Sequence, residues 1–161
     1  MEFTDPAACI IKHTNPCGAA TATTLHDAYV NAYEADSVSA FGGIVALNRE
    51  VDAATAEEMS KIFLEVIMAP AFTKEALHIL EGKKNIRLIE LSKPESGQVT
   101  VKKVSGGLLV QTEDDIQEDR ANYKVVTKVQ PTEEQWKALE FAWKLVKHVK
   151  SNAILISNEK R

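Results

Sequence analysis

The sequence predicts an α/β protein with a largely parallel sheet, and three observations support this prediction. Over the first 90 residues, short apolar runs of strand length alternate with segments whose apolar residues recur at helical spacing. The runs are nearly continuous rather than alternating, as in strands buried on both faces. Capping and turn residues stand at the junctions. This β-α-β-α-β-α-β order is typical of a layered sheet with flanking helices.

Four strands and three helices are predicted in this first part. The strands lie at residues 8–11, 41–48, 66–70 and 85–91, and the helices lie within residues 25–35, 52–66 and 73–84. Thr23 or Thr24 can cap the first helix, and Gly82 ends the third. For the second helix the capping candidates are Asp52 and Thr55, and its predicted apolar stripe is Met59, Ile62 and Phe63.

The second part of the chain is less regular. Short strands and loops are predicted around GGLLVQ at residues 106–111, and further strands at residues 123–128 and 151–157. Between these two strands the longest helical pattern begins at Thr132. Its predicted apolar stripe consists of Trp136, Leu139, Trp143 and Val146, widened by Ala142, Leu145 and Val149.

Composition excludes several classes of protein. With 19 Lys and Arg against 23 Asp and Glu, the net charge of −4 argues against a nucleic-acid-binding face. The apolar runs are far shorter than the ~20 residues of a membrane helix. Two cysteines do not make a disulfide framework. We therefore expect a soluble, cytoplasmic protein that binds neither nucleic acids nor membranes.

The stretch KHTNPCG at residues 12–18 follows the first predicted strand directly. Lys12 and His13 place an ammonium group beside an imidazole, which titrates near neutral pH. Adjacent strand residues point to opposite faces, so both can serve one site only if the strand ends there. The pair Asn15–Pro16 predicts a turn at that point. Taken alone, such a pair is more typical of an exposed strand end, and a catalytic edge is the alternative that the rest of the sequence has to support.

The same stretch partly matches the zinc deaminase signature, in which His-x-Glu is followed by Pro-Cys-x-x-Cys. Residue 15 is asparagine rather than glutamate, and residues 18–21 contain no second cysteine. A catalytic zinc ion needs three protein ligands, so we expect no metal site and disfavour a zinc hydrolase. Cys17 could act as a nucleophile if a helix N-terminus lowered its pKa, or it could simply be a packed thiol.

Three other features stand out, each with a plainer structural interpretation. Gly42 and Gly43 allow a ligand to approach the backbone closely, and Phe41 offers a stacking surface, but a tight turn has the same sequence. Glu65 is a single charge in an otherwise apolar stretch, which could mark a binding site. It could also be a surface residue at the C-terminal end of a helix. Asn152 suits amide recognition, and it also suits a helix C-cap.

Taken together, four blocks closely resemble one family in order and spacing. They are KHTNPCG, EADSVSAFGGIVALNREVD, EVIMAPAFTKEAL and LVKHVKSNAI. They resemble the transformylase domain of the bifunctional purine-biosynthesis enzymes that combine aminoimidazole carboxamide ribonucleotide (AICAR) formyltransferase with IMP cyclohydrolase. The resemblance covers nearly the whole chain, including GGLLVQ.

The resemblance implies a reaction and its site residues. Enzymes of this family transfer the formyl group of 10-formyltetrahydrofolate to the 5-amino group of AICAR. His13 matches the histidine that assists proton removal from the amine, and Lys12 the lysine that stabilises the oxyanion or protonates the folate nitrogen. Phe41 and Gly42 match residues that line the aminoimidazole pocket. The last two implied substrate-binding residues are Glu65 and Asn152, the latter near the carboxamide and formyl groups.

The resemblance also implies a cytidine-deaminase-like fold in two related repeats that have lost the zinc site. Residues 1–90 would be the first repeat, residues 91–121 an irregular connection, and residues 122–161 the start of a truncated second repeat. Whether a monovalent cation binds stays open. Family active sites lie at a dimer interface, so we expect a homodimer in the parent enzyme. We expect cyclohydrolase activity to lie outside these 161 residues, and an isolated fragment could instead be a non-catalytic nucleotide-binding or assembly unit.

Overall fold

The computed structural model describes residues 2–92, 99–114 and 119–161, and the chain forms two compact units. The first unit consists of Met1–Ser92 together with Pro131–Arg161, and the second consists of Lys93–Gln130. The repeat boundaries near residues 90 and 122 stay predictions, because this division does not test whether the two flanking parts are related.

A five-stranded mixed sheet in the order β2-β1-β3-β4-β5 forms the centre of the first unit. Its strands are β1 (Ala7–Lys12), β2 (Asn15–Thr21), β3 (Gly43–Leu47), β4 (Leu64–Ala69) and β5 (Arg87–Glu90). The α/β class and the four predicted strands of this part are confirmed. The prediction of a largely parallel sheet is wrong. Strand β1 pairs antiparallel with both β2 and β3, and only β3, β4 and β5 run parallel to one another.

Strand β2 was not predicted from the sequence. Its residues NPCGAAT contain no long apolar run, and Asn15–Pro16 predicts a turn. The strand forms because a two-residue turn returns the chain directly alongside β1, where six residue pairs form with a shift of register at Cys17. A connection this short can only join antiparallel strands, so the hairpin also explains the mixed sheet.

Four helices complete the first unit, and each is capped as its sequence suggests. They are α1 (Leu25–Ala35), α2 (Ala53–Met59), α3 (Lys74–Glu81) and α4 (Glu133–Val146). A side-chain oxygen of the N-cap residue accepts a backbone N–H of the first turn in every case. These N-cap residues are Thr24, Asp52, Thr73 and Thr132.

The main core lies between one face of the sheet and helices α1, α2 and α3. Residues of β1, β3 and β4 contribute Ile10, Val45 and Ile67, which are completely buried. From the helices, the largest buried side chains are Tyr29, Met59 and Leu80. Burying a side chain of this size contributes about 1.5–3 kcal/mol, so these contacts anchor the three helices to the sheet.

The stripe that α4 buries matches the predicted one only in part, because it contains the predicted Leu145 but is centred on Phe141, which was not predicted. Phe141 and Leu145 pack against Ala19 of β2, and the Phe141 ring lies 5.2 Å from the ring of Phe3. By contrast, the predicted stripe residues Leu139 and Trp143 are 51% and 56% exposed. The helix carries apolar residues on two faces. The face with Phe141 and Leu145 is buried because it is the one that contacts β2.

Two predicted strands are wrong. Residues 123–128 and 151–157 are described and form no strand. In the latter, Ile154 and Ile156 are 87% and 94% exposed while Leu155 is partly buried, so the alternation of a strand is present without a paired partner. Strand-forming residues are stabilised mainly by cross-strand neighbours, which these segments lack among the described residues.

The second unit contains an antiparallel hairpin of β6 (Val99–Val104) and β7 (Gly107–Thr112). This confirms the short strands predicted around GGLLVQ. A 3-10 turn at Arg120–Asn122 follows. Part of the predicted irregular connection, residues 93–98 and 115–118, lies outside the described residues.

Among the residues that the structure describes, no helix is both long and apolar enough to cross a membrane.

Thr55→Val is expected to leave stability unchanged or to raise it by up to about 1 kcal/mol. Thr55 is fully buried in α2, and its Oγ1 makes no hydrogen bond of normal geometry among the described residues, although it lies near the Asp52 carboxylate and lowers the pKa of that group. An unpaired buried hydroxyl costs about 1–3 kcal/mol in lost hydration, and valine keeps its shape. Urea unfolding followed by circular dichroism measures the change. The matched control Thr73→Val should instead lose about 1 kcal/mol, because it removes the cap of α3; equal losses would contradict the prediction.

Candidate active site

The first two predicted site residues lie at the junction of β1 and the turn to β2. Lys12 is the last residue of β1 and pairs with Asn15, the first residue of β2. The predicted strand end at Lys12 is therefore confirmed, but the predicted turn at Asn15–Pro16 is wrong. The turn residues are His13 and Thr14, which have φ of 52° and 63°. Positive φ at both positions is typical of the two-residue turns that match the twist of a hairpin.

The Lys12 ammonium group is held by backbone oxygens at the start of β3. Its Nζ donates hydrogen bonds to the carbonyl oxygens of Phe41 at 2.7 Å and Gly42 at 3.0 Å. Gly42 has a φ of 67°, and a Cβ atom at this position would lie 2.9 Å from Nζ. Only glycine combines this backbone angle with such a close approach. The contact thus joins two sequence blocks separated by about thirty residues.

An exposed aromatic pair stands beside this lysine. Phe41 is 64% exposed, and its ring centroid lies 5.7 Å from that of Phe63 at an interplanar angle of 55°. The Gly42 N–H donates to the Phe63 carbonyl oxygen at 2.8 Å, which fixes the two segments together. Exposed aromatic faces of this kind can pack against a flat ring. Sequence reasoning missed Phe63 because it assigned this residue to the apolar stripe of α2, which ends at Met59.

Glu65 lies in a β-bulge at the start of β4. Gly43 pairs with Leu64 and Ile44 pairs with Val66, so Glu65 is the extra residue between them. It is exposed. Bulges redirect side chains and are frequent next to active sites. The start of β4 adjoins the start of β3, which places Glu65 at the same end of the sheet as Lys12.

The segment after α4 reaches the hairpin turn through Lys150. Its backbone N–H donates to Asn15 Oδ1 at 3.0 Å, and its Nζ donates to the His13 carbonyl oxygen at 3.2 Å. The predicted site residue Asn152 follows two positions later and is exposed, while the contacts to the hairpin are made by Lys150. No sequence signal marked Lys150, because the contact depends on where α4 ends in space.

We call this end of the sheet the hairpin-edge site, defined by Lys12, His13, Phe41, Gly42 and Glu65. The structure brings Lys12 into direct contact with Phe41 and Gly42, with His13 next to it in the chain. Glu65 begins the neighbouring strand. Asn152 belongs to the segment that approaches the turn and makes none of the contacts just described.

The two thiols do not fit an activated nucleophile. Cys17 is part of β2 rather than the start of a helix, and its Sγ donates to the Ile10 carbonyl oxygen at 3.4 Å. Burial and the nearby Asp36 carboxylate raise the pKa of Cys17, and burial raises the pKa of Cys9 to about 11. Both thiols are therefore protonated at neutral pH. Within the described ranges, no three His, Cys, Asp or Glu residues are grouped so that they could hold a metal ion.

The candidate site thus lies at one end of a mixed sheet in an α/β protein, where Lys12 ends a strand and His13 begins a turn. Comparison with known proteins assigns the family of the chain. The family model described as AICARFT/IMPCHase bienzyme matches residues 1–161. The chain belongs to this family. The family resemblance given by the four sequence blocks is thereby confirmed.

Individual relatives carry one common name. The chain is 56% identical over 158 residues to the bifunctional purine biosynthesis protein PurH of Thermoanaerobacter sp. strain X514. It is 52% identical over 160 residues to the proteins of the same name from Bacillus thuringiensis strain Al Hakam and Bacillus cereus strain G9842. Each match covers 98% of this chain and 31% of the relative. The chain thus spans about a third of the length of these relatives.

Proposed function

We propose that this chain acts in purine biosynthesis and contributes part of the formyl-transfer site of the bienzyme. The reaction moves the formyl group of 10-formyltetrahydrofolate to the 5-amino group of AICAR. The observation that carries the proposal is the Lys12 ammonium group, held on the Phe41 and Gly42 carbonyl oxygens directly beside the His13 turn. A cytidine-deaminase-like layering, an assembled homodimer and a cytoplasmic location belong to the same proposal.

His13 is the proposed general base. The amine nitrogen attacks the formyl carbon, the bond from that carbon to N10 of the folate breaks, and the amine loses a proton while N10 gains one. An aromatic amine conjugated to a carboxamide is a poor nucleophile, so removal of its proton carries much of the barrier. General base catalysis typically contributes about 100- to 10,000-fold. The side chain of His13 is exposed at the turn, where a substrate can reach it.

Lys12 is the proposed electrostatic group for the oxyanion that forms on the formyl oxygen, or for the leaving folate nitrogen. Its two backbone contacts use two of the three ammonium protons and leave one available. A donor fixed before the reaction stabilises developing charge without reorganisation, an effect of about 3–4 kcal/mol. The neighbouring carbonyl oxygens therefore orient Lys12 rather than neutralise it.

The remaining residues are proposed to bind the substrates. Phe41 and Phe63 present aromatic surface for the imidazole ring of AICAR, and Gly42 allows that ring to approach the backbone. Glu65 projects from its bulge as a carboxylate acceptor for donors on the substrate. Asn152 has an amide suited to the carboxamide of AICAR.

A second candidate function is non-catalytic nucleotide binding or assembly. It is favoured by one observation, that the chain corresponds to about a third of the relatives' length. On this alternative the hairpin-edge site binds AICAR but needs further parts of a longer protein for formyl transfer. A zinc hydrolase is disfavoured by Asn15 in place of the required glutamate.

We expect AICAR to bind the 161-residue chain saturably and His13→Ala to weaken that binding up to about tenfold, the equivalent of one net hydrogen bond of about 0.5–1.5 kcal/mol. Lys12→Met should act mainly on formyl transfer, because the formyl oxygen and the folate nitrogen are absent when AICAR binds alone. Isothermal titration calorimetry with AICAR measures the affinity. Formyl transfer from 10-formyltetrahydrofolate, followed by the absorbance of tetrahydrofolate, then separates the two candidate functions.

Matched controls are available on the same chain. His26→Ala removes a partly exposed histidine of α1 that contacts Asp27 and Glu58, and Lys84→Ala removes an exposed lysine in the loop before β5. Both should bind AICAR like the unsubstituted chain. Equal weakening by His26→Ala and His13→Ala, or no binding by a folded chain, would contradict the proposal that this unit carries a preformed part of the site.

A further inference from the structure

The turn that carries His13 is joined to the segment after α4 by two hydrogen bonds from a single residue. The Lys150 N–H donates to Asn15 Oδ1 at 3.0 Å, and the Lys150 Nζ donates to the His13 carbonyl oxygen at 3.2 Å. His13 lies within the turn, and Asn15 is the first residue of β2 after it. Lys150 therefore spans the turn from outside the hairpin.

The turn needs such support because of its residues. His13 and Thr14 both have positive φ, a region that favours glycine and asparagine and disfavours β-branched residues such as Thr14. Backbone conformations of this kind persist only where surrounding contacts determine them. Within the hairpin, the Thr14 hydroxyl donates to the His13 carbonyl oxygen at 2.6 Å, and Lys150 adds contacts from a distant part of the chain.

The segment that presents Lys150 has its own anchor. Glu2 accepts hydrogen bonds from Lys147 Nζ at 2.8 Å and from His148 Nε2 at 3.2 Å. Leu145, one turn earlier, is buried against Ala19. Removing the Lys150 ammonium group thus leaves the end of α4 attached to the sheet. Its contact with the turn is separable from the packing of the helix.

We propose that Asn15 and Lys150 are positioning residues that hold the His13 turn in its left-handed conformation and so set the direction of the imidazole. They act through His13 and do not themselves touch the reacting groups. The consequence for AICAR binding rests on the proposed function, whereas the consequence for the turn does not. The proposal extends the site to Lys150, which lies outside the hairpin-edge site as defined.

The test compares Lys150→Met, Lys150→Arg and Asn15→Ala in the 161-residue chain, with Lys84→Met as the control. Nuclear magnetic resonance gives the shift of the His13 Cε1 proton, identified by its loss in His13→Ala, and the φ-dependent coupling constants of His13 and Thr14. Calorimetry with AICAR gives the affinity, and thermal unfolding gives Tm.

Lys150→Met and Asn15→Ala should shift the His13 imidazole signal, change the couplings of the turn, and weaken AICAR binding about two- to tenfold, the range of a net hydrogen bond. Lys150→Arg should keep the His13 signal, the turn couplings and the AICAR affinity close to those of the unsubstituted chain, because arginine also carries a donor at the end of its side chain. Tm should stay close to that of the Lys84→Met control.

Several results would overturn the proposal. One is an unchanged His13 signal and unchanged couplings in Lys150→Met. Another is a fall in Tm without a local change at the turn, which would show that the contact only stabilises the fold. If Lys150→Met fails to fold, the His13 shift and the turn couplings of Asn15→Ala decide instead. A chain that does not bind AICAR at all contradicts the proposed function, and the resonance signals of His13 still decide the positioning role.

Discussion

Gly18→Ala is expected to destabilise the first unit by more than about 3 kcal/mol. An alanine Cβ at this position would lie 2.1 Å from the Ala32 carbonyl oxygen and 3.1 Å from its carbonyl carbon. Both atoms belong to the backbone of α1, which cannot turn aside as a side chain can. Strand β2 and helix α1 would have to separate, disturbing the core around Tyr29. Overpacking a core costs about 1–3 kcal/mol even where side chains adjust.

Urea unfolding followed by tryptophan fluorescence measures this effect, because Trp136 and Trp143 both lie in the first unit. Gly82→Ala is the matched control in the same unit. Gly82 caps α3 with a φ of −64°, and its nearest contact to an added Cβ is the Ile79 carbonyl oxygen at 3.6 Å. Its change in the free energy of unfolding should stay within about 0.5 kcal/mol. A Gly18→Ala variant as stable as Gly82→Ala would show that β2 does not pack on α1 as described.

Gly42→Ala is expected to cost about 1–3 kcal/mol of stability and, on the proposed function, to weaken AICAR binding, because the added methyl group occupies the space that lets the ring approach the backbone. Alanine at a φ of 67° carries the backbone penalty. Its Cβ would also displace the Lys12 Nζ, which lies 2.9 Å away, and so break the hydrogen bonds to the Phe41 and Gly42 carbonyl oxygens. The substitution therefore removes a fixed ammonium group without deleting the lysine.

A double-mutant cycle separates the two causes. In a Lys12→Met background there is no ammonium group to displace, so Gly42→Ala should cost only the backbone penalty. We expect the second substitution to be less destabilising in that background than in the unsubstituted chain, as measured by urea unfolding. Strictly additive losses would mean that Lys12 and Gly42 are not in contact, and the described geometry of the site would be incorrect.

Much of the first unit follows from local sequence. Thr24 and Asp52 mark helix starts because their side chains satisfy backbone N–H groups that every helix leaves unpaired. The apolar runs at residues 44–47 of β3 and residues 66–69 of β4 identify buried strands, since no polar residue interrupts them. Lys12 and His13 were recognised from their position at a strand end, and Phe41 with Gly42 from the combination of a ring and a glycine.

Other features depend on partners far away in the chain. Phe63 is outside the apolar stripe of α2 because that helix ends at Met59. Lys150 belongs to the site region only through its contact with the distant His13 turn. The segment at residues 151–157 has the composition of a strand, yet it pairs with no other strand among the described residues. Strand propensity measures fit to a neighbouring surface, and a single segment does not contain that neighbour.

The sequence by itself therefore determined the α/β class, the candidate helix caps, the end of β1 at Lys12 and the family. The first three depend on residue types and spacings within single segments, and the family depends on four blocks in order along the chain. Only the tertiary structure decided the antiparallel hairpin, which face α4 buries, and the contact of Lys12 with Phe41 and Gly42. Each of these is a choice between locally similar alternatives. The pairing of β2 along β1 decides the first, and contacts with residues tens of positions away decide the other two.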